Sequence, residues 1–132
     1  MNKTFPDTIK AMRTHLINGM HAAEKSYTTL KNSGLISKLK ISDDRRITIA
    51  LAHLNQANTF ITAAQTVYQL ETTGENQEIE RFFHQFQVFN DELLDSISTD
   101  HSDQWTGIEF RELVKNYNEL PEIFELKPFI VD

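Results

Sequence analysis

Residues 47–68, ITIALAHLNQANTFITAAQTVY, decide the fold of this 132-residue chain. Apolar residues recur there at steps of three and four over about three heptads, which is the spacing of an amphipathic α-helix. Large and small side chains alternate along the series, so a partner helix can lie close to the alanine rows. The series consists of Ile47, Ala50, Leu54, Ala57, Ile61, Ala64 and Tyr68.

Signals for the two ends of this helix lie on either side of the stretch. Ser42, followed by two aspartates, is a typical N-cap because its hydroxyl can accept a hydrogen bond from an unpaired backbone N–H group. Gly74 follows the last periodic residue, where glycine commonly ends a helix. The sequence therefore predicts a helix over about 43–72.

Before this stretch, the sequence predicts another long helix over about 5–32, with Thr4 as its N-cap and Gly34 just beyond its end. Gly19 lies inside it, where glycine costs about 1 kcal/mol relative to alanine. This glycine predicts the close approach of a neighbouring backbone. Residues 35–41 alternate apolar and basic residues, but no second strand is available to pair with them, so they are interpreted as a connector.

After the stretch, two shorter helices are predicted over about 76–97 and about 107–118. Four phenylalanines lie on one side of the first. The second opens with Thr106–Glu109, which has the pattern of a capping box. A short turn over 122–126 and an apolar tail over 129–132 follow, and the tail is expected to lie on the bundle or on a partner.

Together these patterns predict an all-α fold: a single domain, residues 1–132, built as an antiparallel bundle of four main helices. With 39% hydrophobic and 24% charged residues and no cysteine, the chain can form a core without disulfides and has no thiol chemistry. No apolar run approaches the roughly 20 residues of a membrane span, and the first residues lack the apolar core of a signal peptide. The expected location is cytoplasmic.

The net charge of −6 conceals an asymmetry between the two halves of the chain. Residues 1–70 contain nine basic and four acidic residues, a net charge of +5, whereas residues 71–132 contain four basic and fifteen acidic residues, a net charge of −11. Two interpretations are open. The halves neutralise each other inside one domain, or an acidic surface remains for a basic partner.

The acidic residues of the third helix fall within about 80° of one another, opposite its phenylalanines, at about 100° per residue. Such a stripe is either an ordinary solvated face or a surface that docks a basic protein. Two glutamates of the fourth helix extend it. The predicted partner-binding residues are Glu80, His84, Asp91, Asp95, Glu109 and Glu112, with Gln87 inside the stripe.

Two further clusters have alternative interpretations. The aromatic set Phe82, Phe83, Phe86 and Phe89 is interpreted mainly as core and alternatively as the lining of a ligand pocket. The basic set Lys38, Lys40, Arg45 and Arg46 surrounds the start of the second helix and forms a candidate anion patch. Nucleic-acid binding is disfavoured because the isoelectric point is near 5.3 and no aromatic residue interleaves the basic set.

No catalytic or phosphate-binding motif is found, and no metal or cofactor is predicted. The histidines do not follow the Glu-x-x-His order of di-metal bundles. By helical position, His21 and His84 should face solvent, and His101 lies in a polar loop. His15 and His53 flank the apolar stripes, where a hydrogen bond to the next helix is expected.

These observations predict a non-catalytic protein–protein interaction module: a small cytosolic regulator, inhibitor, or immunity- or antitoxin-type protein that docks a basic partner through its acidic helical face. One alternative is a helical enzyme or small-ligand-binding protein with a phenylalanine-lined pocket and His53 or His15 at its mouth. Another is a homo-oligomeric structural protein, possible as a homodimer, formed through the alanine-rich face of the second helix or by pairing of oppositely charged halves.

Overall fold

The structure, a computed structural model, describes residues 4–31, 41–71, 76–98 and 104–130. All regular secondary structure in these ranges is helical, so the prediction of an all-α bundle is confirmed. The elements are α1 (Thr4–Lys31), α2 (Ile41–Glu71), α3 (Gln77–Ser98), α4 (Gln104–Asn118) and a 3₁₀ helix, η1 (Glu122–Phe124).

The most extensive contact joins α1 and α2. The Ser26 hydroxyl donates a hydrogen bond to the carbonyl oxygen of Ala50 over 2.7 Å. Further along, Gly19 faces Ile61, and a Cβ atom added to Gly19 would lie only 2.4 Å from Ile61 Cδ1. The predicted close approach at Gly19 is therefore present, although the neighbour is a side chain instead of a backbone. These pairings make α1 and α2 antiparallel.

The contact between α3 and α4 is also antiparallel. The Thr106 hydroxyl donates a hydrogen bond to Ser96 Oγ over 3.2 Å near one end, and the rings of Phe82 and Tyr117 lie 5.9 Å apart near the other. The predicted capping box is wrong, because α4 begins at Gln104 and Thr106 lies inside it. A buried tertiary contact with α3 takes the hydroxyl that the sequence pattern assigned to the cap.

Two further antiparallel contacts close the bundle. On one side, Asn58 of α2 donates to Asn90 Oδ1 of α3 over 2.8 Å, and the Tyr68 hydroxyl donates to Glu80 Oε2 over 3.0 Å. On the other, α1 lies beside α4, where the ring of Tyr27 stacks on Phe110 at 4.9 Å. Each helix therefore has two helical neighbours, as in an up-down-up-down bundle.

The predicted C-terminal turn and tail lie on the bundle as far as they are described. Arg13 of α1 donates a hydrogen bond to the carbonyl oxygen of Phe124 over 2.9 Å, and the Phe124 ring is buried. The backbone of Phe129 exchanges two hydrogen bonds with the side-chain amide of Asn118. The tail therefore packs in cis up to this point, and Ile130 beyond it is exposed.

The predicted helix ends differ from the observed ones by at most three residues, and the end of α4 at Asn118 agrees. α1 begins at Thr4 and α2 at Ile41, so Thr4 and Ser42 both lie inside their helices and the two predicted N-caps are wrong. Residues 35–40 of the predicted connector lie outside the described ranges, and residue 41 belongs to α2. No helix in the described part of the chain combines the length and the hydropathy that crossing a membrane requires.

Candidate functional site

The predicted acidic stripe forms one exposed side of α3. Its members lie opposite the buried phenylalanines, as the helical spacing predicted. We call this surface the acidic face. It consists of Glu80, His84, Gln87, Asp91 and Asp95, all of them exposed.

Hydrogen bonds hold two carboxylates of the acidic face in place. Glu80 accepts from the Tyr68 hydroxyl of α2. Asp91 Oδ1 accepts from Gln87 Nε2 over 2.9 Å and from Asn90 Nδ2 over 3.3 Å. These two carboxylates are therefore held at set positions on the surface of α3.

Glu109 does not extend the acidic face as an exposed carboxylate. Glu109 is half-buried between α3 and α4, where Gln85 Nε2 donates to its Oε1 atom over 2.9 Å and to its carbonyl oxygen over 3.2 Å. Gln85 lies about 100° around α3 from His84. Glu112 is exposed on α4. Glu109 thus links two helices, and the extension of the acidic stripe to Glu112 stays a prediction.

The exposed side of α2 is a feature that the sequence interpretation missed. Residues 47–70 contain no lysine, arginine, aspartate or glutamate. Within this run, Ile49, Leu51 and Leu70 are exposed although they are large and apolar. The core of a protein interface is typically depleted of charge in this way. The absence of charge over so long a helix was the available signal in the sequence.

The surface between α2 and α3 contains two clefts, one on each side of the hydrogen bond between Asn58 and Asn90. The first, of about 460 Å³, we call the leucine cleft, since Leu51 of α2 and Leu94 of α3 line it. These two leucines keep 36% and 42% of their surface exposed. The side chains of Leu54 and Asn55 also line this cleft.

The second cleft, of about 500 Å³, lies at the other end of the same seam, and we call it the tyrosine cleft. It is bordered by the Glu80 end of the acidic face. Its lining combines two aromatic rings, one carboxylate, one imidazole and three amides. These residues are Gln65, Tyr68, Gln69, Glu80, Phe83, His84 and Gln87.

The phenylalanine cluster belongs to the core. All four rings are at most 8% exposed, and they pack edge-on or tilted against one another and against Tyr117. Of the four, Phe83 reaches one of the two clefts. The interpretation of Phe82, Phe86 and Phe89 as core therefore agrees with the structure.

The histidines follow the predicted positions but not all of the predicted bonding. His21 and His84 are exposed, and the His21 ring lies 5.7 Å from that of Phe129. The Nδ1 atoms of His15 and His53 are buried without a hydrogen-bond partner. The prediction that these histidines bond to the next helix is therefore wrong. In the described ranges no three histidine, aspartate or glutamate side chains form a group that could hold a metal ion.

The candidate anion patch lies partly outside the described ranges. Lys38 and Lys40 are among the residues that the structure does not describe, whereas Arg45 and Arg46 are exposed in the first turns of α2. The patch therefore stays a prediction.

A basic side chain of residues 1–70 can contact the acidic half through backbone carbonyl oxygens instead of carboxylates. Arg13 donates to the carbonyl oxygens of Phe124 and Glu125, and an ion pair of 4.0 Å joins Arg81 to Glu119 within the acidic half.

Burial raises the pKa of the Tyr117 phenol on α4 to about 12, and the positive charge of Arg13 opposes the shift.

Comparisons of the chain with models of protein families, with curated proteins and with solved structures give no match. The acidic face and the two clefts are therefore the features from which a function can be proposed. They adjoin one another along the seam between α2 and α3. This arrangement combines apolar side chains, two aromatic rings and carboxylates on two neighbouring helices, which suits recognition of a cationic, partly apolar ligand.

Proposed function

We propose that this chain is a non-catalytic binding protein, a small regulator or inhibitor of the immunity or antitoxin type, that takes up a basic segment of a partner protein. The segment would lie along the seam between α2 and α3. One observation carries the proposal: Leu94, which lines the leucine cleft together with Leu51, lies on α3 between Asp91 and Asp95 of the acidic face.

The leucine cleft supplies apolar anchor points. Leu51 and Leu94 are exposed on facing helices, and the surrounding surface of α2 carries no charge. Binding energy at protein interfaces is concentrated in a few side chains that become fully buried on association. Covering these leucines would remove apolar surface from water at about 25 cal/mol per Å².

The acidic face indicates the charge of the partner. Asp91 and Asp95 flank Leu94 on α3, and Glu80 lies at the far end of the seam. Lysine or arginine side chains beside the apolar anchors of a partner would meet these carboxylates. Complementary charge of this kind accelerates association and rejects acidic competitors.

The length of the seam suits an amphipathic helix. Leu51 and Tyr68 are seventeen residues apart, which corresponds to about 25 Å along α2 at 1.5 Å per residue. A helix laid in such a groove contacts it through residues spaced three, four and seven apart. The mechanism is occlusion, because the basic segment is covered and cannot reach its own target.

The proposal is tested by capture from a native lysate with two variants of equal charge change. Asp91→Lys with Asp95→Lys reverses two charges of the acidic face, whereas Glu122→Lys with Glu125→Lys, the η1 variant, changes the first residue of η1 and the residue just after it. η1 packs against α1. We expect one basic protein, released by a salt step and identified by mass spectrometry, to be retained by the wild type and by the η1 variant. The acidic-face variant should lose it.

Circular dichroism and thermal unfolding show whether both variants remain folded. Retention of the basic protein by a folded Asp91→Lys/Asp95→Lys variant would exclude the acidic face as the docking surface. Equal loss with both variants would reduce the interaction to non-specific charge attraction.

The homodimer alternative is narrowed by the burial of α2. Ala50, Ala57 and Ala64 are completely buried within the chain, so a dimer through this face would require α2 to leave α1. A dimer formed by oppositely charged halves stays a prediction. Light scattering at low and high salt tests it, because screening should dissociate such a dimer.

A further inference from the structure

The Glu80 carboxylate in the tyrosine cleft is fixed by a short chain of hydrogen bonds. The backbone N–H of Asn76 donates to the Tyr68 hydroxyl over 2.8 Å, and this hydroxyl donates to Glu80 Oε2 over 3.0 Å. The other oxygen, Oε1, accepts no hydrogen bond from any residue that the structure describes. One oxygen is therefore used to orient the carboxylate, and the second remains as an acceptor.

Two aromatic rings line the same cleft. The centroids of Tyr68 and Phe83 lie 6.0 Å apart with an angle of 52° between the rings. The faces of such rings carry partial negative charge and attract cations. Tyr68 and Phe83 each keep 8% of their surface exposed, so an alkyl chain in the cleft would contact this strip of the rings.

The remaining lining is compatible with a cation. Gln65, Gln69 and Gln87 offer amide oxygens, and neither lysine nor arginine is among the described residues of the lining. The amide nitrogen of Gln87 already donates to Asp91, so its oxygen is the atom left for a donor. His84 is the one described lining residue that can carry positive charge.

We propose that the tyrosine cleft binds a primary alkylammonium group, namely a lysine side chain of the basic partner segment. The ammonium group would donate to Glu80 Oε1 and to an amide oxygen, and the butyl stem would lie against Tyr68 and Phe83. That the ammonium group comes from a lysine of a partner protein rests on the function proposed above. That the cleft binds an alkylammonium group rests on the cleft alone.

Lysine suits this cleft better than arginine. A guanidinium group forms its strong contact with both oxygens of one carboxylate at once. Tyr68 already donates to Oε2 of Glu80, so a guanidinium group bound to both oxygens would have to share Oε2 with this hydroxyl. An ammonium group is a point charge with three donors and needs no paired acceptor.

The test is an NMR titration of the ¹⁵N-labelled full chain with n-butylammonium chloride. We expect saturable shifts of the amide signals of Phe83, His84 and Gln87 at millimolar concentration. Glu80→Gln should weaken binding about tenfold, since a charge-assisted hydrogen bond is replaced by a neutral one. The substitution retains an oxygen that can accept from Tyr68.

Glu78→Gln is the matched control. Glu78 is exposed in the first turn of α3, carries the same charge and does not line the cleft. It should leave butylammonium binding unchanged. Phe83→Leu should weaken binding about threefold through loss of the ring face, and n-propylguanidinium should bind more weakly than n-butylammonium. Equal weakening by Glu78→Gln and Glu80→Gln, or no saturable shift, would overturn the site.

Two further measurements separate this site from the proposed function. The captured partner should bind Glu80→Gln more weakly than Glu78→Gln. If butylammonium binds but substitutions in the acidic face and at Glu80 leave partner binding unchanged, the ammonium site is supported and the proposed docking function is excluded. If the partner needs Asp91 and Asp95 while the cleft shows no butylammonium shift, the docking function stands and this site falls. If spermidine saturates the cleft at a concentration far below that needed for Nα-acetyl-lysine amide, the ligand would be a free polyamine and not a lysine of the partner.

Discussion

The two sides of α2 form contrasting contacts. Toward α1, the seam is closed by glycine, alanine and serine, with Gly19 against Ile61 and Ser26 bonded to the Ala50 backbone. Toward α3, the same helix presents amide and hydroxyl groups and leaves two clefts. The residue types explain this difference: small residues let helices approach closely, whereas bonded polar side chains hold them apart.

This contrast separates residues that hold the fold from residues that remain available for binding. The closed seam buries its apolar side chains within the chain, and the open seam leaves Leu51 and Leu94 partly in water. If the contrast is correct, substitutions in the closed seam destabilise the protein strongly. Substitutions of the exposed leucines should change stability little and binding much.

The largest effect is expected for Gly19→Val in the closed seam. A Cβ atom there would already meet Ile61 Cδ1 at 2.4 Å and Cγ1 at 2.8 Å, and valine adds two methyl groups. Overpacking of this kind costs about 1–3 kcal/mol. Urea unfolding followed by circular dichroism measures the loss of unfolding free energy.

A double-mutant cycle identifies the cause of that loss. Gly19→Ala should be tolerated better in an Ile61→Val background, which lacks the Cδ1 atom, than in the wild type. The coupling should be about 0.5–1 kcal/mol. Additive effects would show that Ile61 is not the obstacle.

The second prediction concerns Tyr117, whose pKa is raised to about 12 from 10.0 by burial. Between these values the folded state holds the phenolic proton more tightly than the unfolded state does. The contribution of Tyr117 to stability is therefore complete below pH 10 and is lost as the pH rises toward about 12. The difference in unfolding free energy between the wild type and Tyr117→Phe, measured from pH 9 to 12, should show this fall. A constant difference would contradict it.

A smaller effect is expected for the amide pair of the open seam. Asn58→Ala leaves Oδ1 of Asn90 without its donor, although Asn90 is only 7% exposed. The cost should be about 1–2 kcal/mol. Replacing both asparagines by leucine should cost less than Asn58→Ala alone, because no buried polar atom is then left unpaired. A larger cost for the double variant would show that the amides do more than bond each other.

The smallest effect on stability is expected at the exposed leucines. Leu94→Ser should change the unfolding free energy by less than about 1 kcal/mol, since the side chain is 42% exposed. Leu54→Ala, at a buried position of α2, should cost about 2–5 kcal/mol in the same assay. Similar losses for both would mean that Leu94 belongs to the core.

Helical periodicity was sufficient to predict the four helices, the buried faces and the exposed acidic side of α3. Such patterns depend on local geometry, which the sequence expresses directly. Contacts made between helices were less predictable. The Thr106 hydroxyl bonds to Ser96 instead of capping α4, and Glu109 bonds to Gln85 instead of extending the acidic stripe.

The clefts could not be predicted from the sequence because each needs residues from two helices in register. Tyr68 and Glu80 lie on different helices, and their hydrogen bond depends on how α2 meets α3. The uncharged run over residues 47–70 was the one part of the candidate site that the sequence alone could have indicated. It is depleted of charge in the way that interface surfaces are.

The most direct test of the central claim is position-specific photocross-linking in the cells that produce the protein. A benzophenone amino acid replaces either Leu94 in the open seam or Ile123 of η1, which are 42% and 51% exposed. The account predicts a cross-link from position 94 to a basic, lysine-containing peptide of one protein and none from position 123. A cross-link from position 123 alone, or the same products from both positions, would contradict the claim that the seam between α2 and α3 is the binding surface.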